Sequence, residues 1–126
     1  MKKSIQDNIM IQRLLPANFG PLKGANANAR MSGQCGDTME FWLNVHEGLV
    51  CNVTFTTDGC KHSLLCGSAA ANLVKLRTLE VADLLTQADV LQAAGNIPRE
   101  SHHCALLAAN TLKAAIAGYR AKYEQP

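Results

Sequence analysis

The sequence predicts an α+β fold, with a small antiparallel sheet of about three strands and helices packed on one of its faces. Three observations carry this. Two runs alternate with period two: Met39, Phe41, Leu43 and Val45, then Leu49, Cys51, Val53 and Phe55, with a turn at Glu47-Gly48 between them. Beyond Cys60 the apolar spacing changes to three and four. The longest such stripe closes the chain, from Cys104 through Leu107, Ala108, Thr111, Leu112, Ala115 and Ile116 to Tyr119.

Length and composition narrow the function. A chain of 126 residues is expected to form one domain, 1–126, large enough for an ordinary core. It is 48% hydrophobic and 17% charged, the balance of a compact globule, and only 5% aromatic, so the core is built from aliphatic side chains. A net charge of +2 with dispersed Lys and Arg argues against nucleic-acid or membrane partners. Met1-Lys2-Lys3 is followed by no apolar run of the secretory kind, and no stretch reaches the ~20 apolar residues of a membrane span. Five cysteines, an odd number without a C-x-x-C pair, then read as reduced thiols of a cytoplasmic protein.

In chain order, Ser4 to Leu15 carries a loose helical stripe that Pro16 ends. Asn18 to Asn28 reads as a loop rich in Gly, Pro and Asn, and Ala27 to Ser32 as a short strand. The hairpin follows, with the odd-numbered side chains of both strands, Cys51 included, expected on the core face. Its outer ends must lie side by side, which brings Cys35 towards Cys60. The next helix should show Leu65, Ala69, Leu73 and Leu76 on its buried face, with Cys60 at its N-terminal end, where the dipole favours a thiolate. Thr78 caps a short helix to about Leu85, a second short helix covers Gln87 to Ala94 and ends at Gly95, and Pro98 suits the first turn of the last helix. The residues from Tyr119 onwards read as a solvated tail.

Three cysteines sit where packing does not require sulfur: Cys35 in Cys35-Gly36-Asp37, Cys60 after Asp58-Gly59, and Cys104 after His102-His103. Brought together with Asp37 and His103, they form the kind of Cys/Asp/His cluster that holds zinc or an iron–sulfur cluster. The other candidates read as ordinary residues: Cys51 and Cys66 as small buried hydrophobes, the latter within reach of the site, and His46, His62 and His102 as exposed.

The Cys35-Gly36-Asp37 motif, the hairpin, Gly59-Cys60 and His103-Cys104 together resemble the IscU/NifU family of iron–sulfur cluster assembly scaffolds. Pro16-x-Asn18-x-Gly20, Leu73-Val74-Lys75, Thr78-Leu79-Glu80-x-Ala82 and Ala114-Ala115-Ile116-x-x-Tyr119 extend the likeness over nearly the whole chain. The resemblance implies a scaffold rather than an enzyme. A cysteine desulfurase delivers sulfur as persulfide, an iron donor supplies iron, and a labile 2Fe–2S cluster forms for transfer to apo-proteins. Cys35, Cys60 and Cys104 would be cluster ligands, Asp37 and His103 exchangeable or alternative ones, and Cys104, then Cys60, the persulfide acceptor. Zinc would occupy the same groups in isolated protein. One departure matters: where many scaffolds carry Leu-Pro-Pro-Val-Lys, this chain has Ile97-Pro98-Arg99-Glu100-Ser101, which counts against a dedicated Hsp70-type chaperone partner. The same residues would also suit a zinc enzyme with Asp37 as base, or a persulfide relay that holds no cluster.

Overall fold

The computed structural model describes residues 15–124, so the expected first helix lies outside the described residues. The sheet has strands β1 (Ala27–Ser32), β2 (Thr38–His46) and β3 (Leu49–Thr57), antiparallel throughout, in the order β1-β2-β3. Helices α1 (Lys61–Val74), α2 (Leu79–Ala82) and α3 (Gln87–Ala94) follow. A 3₁₀ turn at Arg99–Ser101 then leads into α4 (His102–Tyr123). The long helices α1 and α4 pack on the same face of the sheet and on each other.

The hairpin turn has Glu47 and Gly48 both at positive φ, 52° and 76°, the backbone whose twist matches the flanking strands. Met39, Phe41, Leu43 and Val45 of β2 are all buried, as the alternation requires. In β3 the alternation is broken. Asn44 pairs with Asn52 and Val45 with Val50, so Cys51 is an extra residue at a β-bulge. The bulge moves Val50 onto the core face and leaves Leu49 and Cys51 half-buried, which corrects the expectation that Cys51 is a core residue. Period-two reading carries no signal for an inserted residue.

Helix α1 also departs from its expected stripe. Of the expected stripe, Ala69 is buried and Leu73 packs on the core, but Leu65 and Leu76 are exposed (45% and 64%), and Ser63, Cys66, Gly67, Ala70 and Val74 are buried instead. The small residues face inward because the helix lies close against the sheet: a Cβ on Gly67 would run into the Phe55 ring. That ring stacks on Phe41 (centroids 5.8 Å apart) and meets Phe19 edge-on at 5.5 Å. Phe19 belongs to a short segment that covers the β3 edge, with the Phe55 N–H donating to Asn18 O and the Gly20 N–H to Phe55 O. Asn18 ties the segment to α1 through Ser68 O and Asn72 Oδ1, both at 3.2 Å.

Thr78 caps α2 as expected, but that helix ends at Ala82, short of Leu85. Thr86 and Asp89 form a capping box on α3, and Gly95 ends it. Pro98 precedes the 3₁₀ turn and not α4 itself. The expected solvated tail is helical to Tyr123, where Arg120 reaches Glu80, Asp83 and Glu124. Among the described residues, no helix is long and apolar enough to cross a membrane.

Candidate metal centre

The two ends of the hairpin are clamped side by side. Thr38 N–H donates to Asp58 Oδ1 at 2.7 Å, and Thr57 Oγ1 donates to Thr38 O at 2.8 Å. Just before Thr38, the chain turns sharply: Gly33 N–H donates to Asp37 O at 2.7 Å, and Gly36, at φ +83°, supplies the left-handed step. Cys35 stands exposed on this turn, and Asp37 is carried inward beneath it. After Asp58, Gly59 lets the start of α1 approach Asp37. A Cβ there would collide with Ser63 and lie 3.3 Å from Asp37 Cβ.

Cys60 is the N-cap residue of α1 and is exposed. It makes no formed capping bond, but the backbone N–H groups of Ser63, first, and His62 favour its thiolate. They lower the thiol from its ordinary range against a smaller opposing effect of burial. From the other side, α4 presents His103 and Cys104 in its first turn. Cys104 is 1% exposed, and burial pushes its thiol up. The Ser63 hydroxyl opposes this, and the neighbouring Cys60 thiol and Asp37 carboxylate reinforce it.

Asp37, His103 and Cys104 each point a donor atom into one spot, and these atoms all lie within 4.8 Å of one another. His103 Nε2 is 3.7 Å from Cys104 Sγ. The Ser63 hydroxyl lies 3.2 Å from Asp37 Oδ2 and 3.3 Å from Cys104 Sγ, and its single proton serves one of them at a time. The other carboxylate oxygen, Asp37 Oδ1, is buried and has no hydrogen-bond partner. A carboxylate with one oxygen left unpartnered, grouped with a thiol and an imidazole, fits a cation of the zinc or iron type, which takes sulfur, nitrogen and oxygen together.

Of the five expected ligands, three therefore meet in one group. Cys60 and Cys35 stand outside it, although Cys60 adjoins Cys104 closely enough for their thiols to interact. Cys66 is fully buried on α1, and desolvation, aided by Cys104 and Cys60, pushes its thiol up to about 12, so it stays protonated as a core residue. His62, expected to be exposed, is half-buried, its Nδ1 lying 3.8 Å from Cys60 Sγ and 3.1 Å from Ser101 Oγ. His102 is also half-buried, held at Ile97 O. Ser63 was not foreseen. Its one sequence signal is its place three residues after Cys60, where the helix turns back over its own start.

The structure is thus a two-layer α+β domain carrying a thiol–imidazole–carboxylate group of the kind that can hold a metal ion. The chain belongs to the family described as the NifU-like N terminal domain, whose sequence model matches residues 4–126. It is 32% identical over 105 residues to the iron–sulfur cluster assembly scaffold protein IscU 1 of Archaeoglobus fulgidus, covering 82% of this chain and 69% of that one. It is also 32% identical over 114 residues to the scaffold protein IscU of Escherichia coli K12, covering 86% and 88%. The crystal structure of an N-terminal NifU-like protein from Brucella abortus has the same fold. It superposes with a TM-score of 0.65 at 21% identity, covering 94% of this chain and 99% of that one.

Proposed function

We propose that this chain is a scaffold on which an iron–sulfur cluster of the 2Fe–2S type is built and then handed to apo-proteins, without catalytic turnover of its own. The observation that carries this is the gathering of Asp37, His103 and Cys104 donor atoms within 4.8 Å of one another, with the second oxygen of the same carboxylate buried and unpartnered, in a family whose relatives are named as scaffolds. The cluster is cargo and not a resident cofactor. Cys35, Cys60 and Cys104 are its thiolate ligands, with Asp37 and His103 as the exchangeable donors.

Sulfur arrives as a persulfide on a cysteine desulfurase. A scaffold thiolate attacks the outer sulfur, the S–S bond breaks, and the desulfurase thiolate leaves with the electron pair. Exposure and the α1 N-terminus favour Cys60 as the first acceptor, whereas burial disfavours Cys104. That reverses the order which the resemblance implies. Two electrons from an external reductant of the ferredoxin class cleave the scaffold persulfide to thiolate and sulfide, and iron from a donor protein joins that sulfide. Zinc fits the same donors in isolated protein, and the cytoplasm, where thiols stay reduced, is the compartment this chemistry needs. The loss of the Leu-Pro-Pro-Val-Lys pattern at Ile97 to Ser101 argues against a dedicated Hsp70-type chaperone.

Anaerobic reconstitution with ferrous iron and sulfide tests the reading. A scaffold develops visible charge-transfer absorption, with acid-labile sulfide and iron in equal amounts, and Cys104→Ala loses most of it. A colourless protein that accepts persulfide but holds no iron would be a sulfur relay instead.

A further inference from the structure

The site holds two thiol–imidazole pairs, and only His103–Cys104 belongs to the motif that marks the family. In that pair the sulfur and Nε2 are 3.7 Å apart. In the second, Cys60 Sγ and His62 Nδ1 are 3.8 Å apart. A tetrahedral ion with sulfur at about 2.3 Å and nitrogen at about 2.0–2.1 Å holds these atoms about 3.6 Å apart. Both pairs thus already have the bite of a chelate.

The second pair is held in place from outside its own helix. Cys60 and His62 come from the start of α1, while Ser101, in the 3₁₀ turn before α4, sets its Oγ 3.1 Å from His62 Nδ1. His62 Nδ1 thus lies within hydrogen-bond reach of Ser101 and Cys60 alike, and its one in-plane position serves one partner at a time. Ser101 is itself half-buried, so its hydroxyl can turn to solvent when the nitrogen takes a better partner. The two pairs adjoin, since Ser63, in the same first turn of α1 as Cys60 and His62, sets its hydroxyl 3.3 Å from Cys104 Sγ.

We propose that His62 is a further ligand for the metal bound here, paired with Cys60 as His103 is with Cys104. The proposal rests on the metal-site reading above. Cys60 and His62 then adjoin the Asp37, His103 and Cys104 group, giving five donors where a zinc ion takes four. An excess of donors lets one ligand replace another without the metal leaving the protein, which suits a site that must accept its cargo and also give it up.

Zinc alone is the probe. Two-bond ¹H–¹⁵N spectra of histidine-labelled protein, with and without one equivalent of zinc, report directly on the ring nitrogens of the unmutated chain. The Nδ1 resonance of His62 moves to the metal-bound range if the proposal holds, and an unmoved resonance overturns it. Competition with a chromophoric chelator gives the second readout: His62→Gln weakens zinc binding tenfold or more, and wild-type affinity in this variant counts against the assignment. Cys104→Ala separates the two levels. If Cys104→Ala loses zinc while His62→Gln does not, only the His62 assignment falls. If both bind as wild type does, the metal-site reading falls with it.

Discussion

Asp37→Ala should make the protein more stable without metal and less stable with it. In the structure Asp37 Oδ1 is buried with no partner, and such an acceptor costs about 1–3 kcal/mol. Removing the carboxylate relieves that cost. The bond lost is the one from the Ser63 hydroxyl to Oδ2, at 3.2 Å, but the same hydroxyl keeps Cys104 Sγ at 3.3 Å as its acceptor. The lost bond is therefore largely replaced, and the expected net gain is about 1 kcal/mol. Zinc reverses the order, because a ligand at a hundred times its dissociation constant stabilises the folded state by about 2.7 kcal/mol and the variant binds it less tightly. Urea denaturation in chelator and in excess zinc measures both, read from midpoints at unchanged slope. If Asp37→Ala is less stable than wild type by 1 kcal/mol or more in chelator, the carboxylate is a structural residue and the reasoning fails.

Gly67→Ala should destabilise the protein by about 1–2 kcal/mol, since overpacking against the Phe55 ring outweighs the better helix propensity of alanine; a more stable variant would show that α1 shifts freely on the sheet. Cys51→Ser, at a half-buried bulge, should cost less than about 1 kcal/mol and leave zinc affinity unchanged, both read from denaturation and titration. Cys66 has a folded-state thiol raised to about 12 against an ordinary value of 9.0. Its contribution to stability is therefore complete below about pH 9 and is lost as pH climbs towards 12, because only the unfolded chain releases the proton. Cys66→Ala should flatten the pH dependence of metal-free stability in that window by up to about 1.4 kcal/mol per unit. An unchanged slope would refute the burial argument.

The hairpin was legible because β2 has one buried face and its alternation says which, whereas β1 buries only Ala27 and offers no such pattern. Where β3 takes in an extra residue at Cys51, the pattern gives no warning, since the bulge depends on pairing with Asn44 and Val45 across the hairpin. Helix α1 misled for a different reason. Ala69 and Leu73 do pack on the core, but most of the buried face consists of Ser63, Cys66, Gly67 and Ala70, small residues that allow close approach, while Leu65 faces solvent and Leu76 lies beyond the helix end, so following the largest apolar side chains finds only part of that face. At the site, the motifs marked Asp37, His103 and Cys104, and these do meet. Ser63 and Ser101 stayed hidden because each meets a partner far away in the sequence, Ser63 at Asp37 and Cys104 and Ser101 at His62, and the same contact half-buries His62, which its sequence neighbours do not show.

The central claim is that cargo assembled here is meant to leave, and the transfer rate to an acceptor tests it most directly. Protein reconstituted anaerobically with iron and sulfide is mixed with an apo-ferredoxin, and the appearance of the ferredoxin spectrum is followed over time. Wild type should pass its cluster on stoichiometrically, and Asp37→Ala, having lost the oxygen donor that exchanges most readily, should pass it on more slowly. A wild-type protein that keeps its cluster in the presence of excess apo-ferredoxin would contradict the account, whatever its affinity for iron and sulfide.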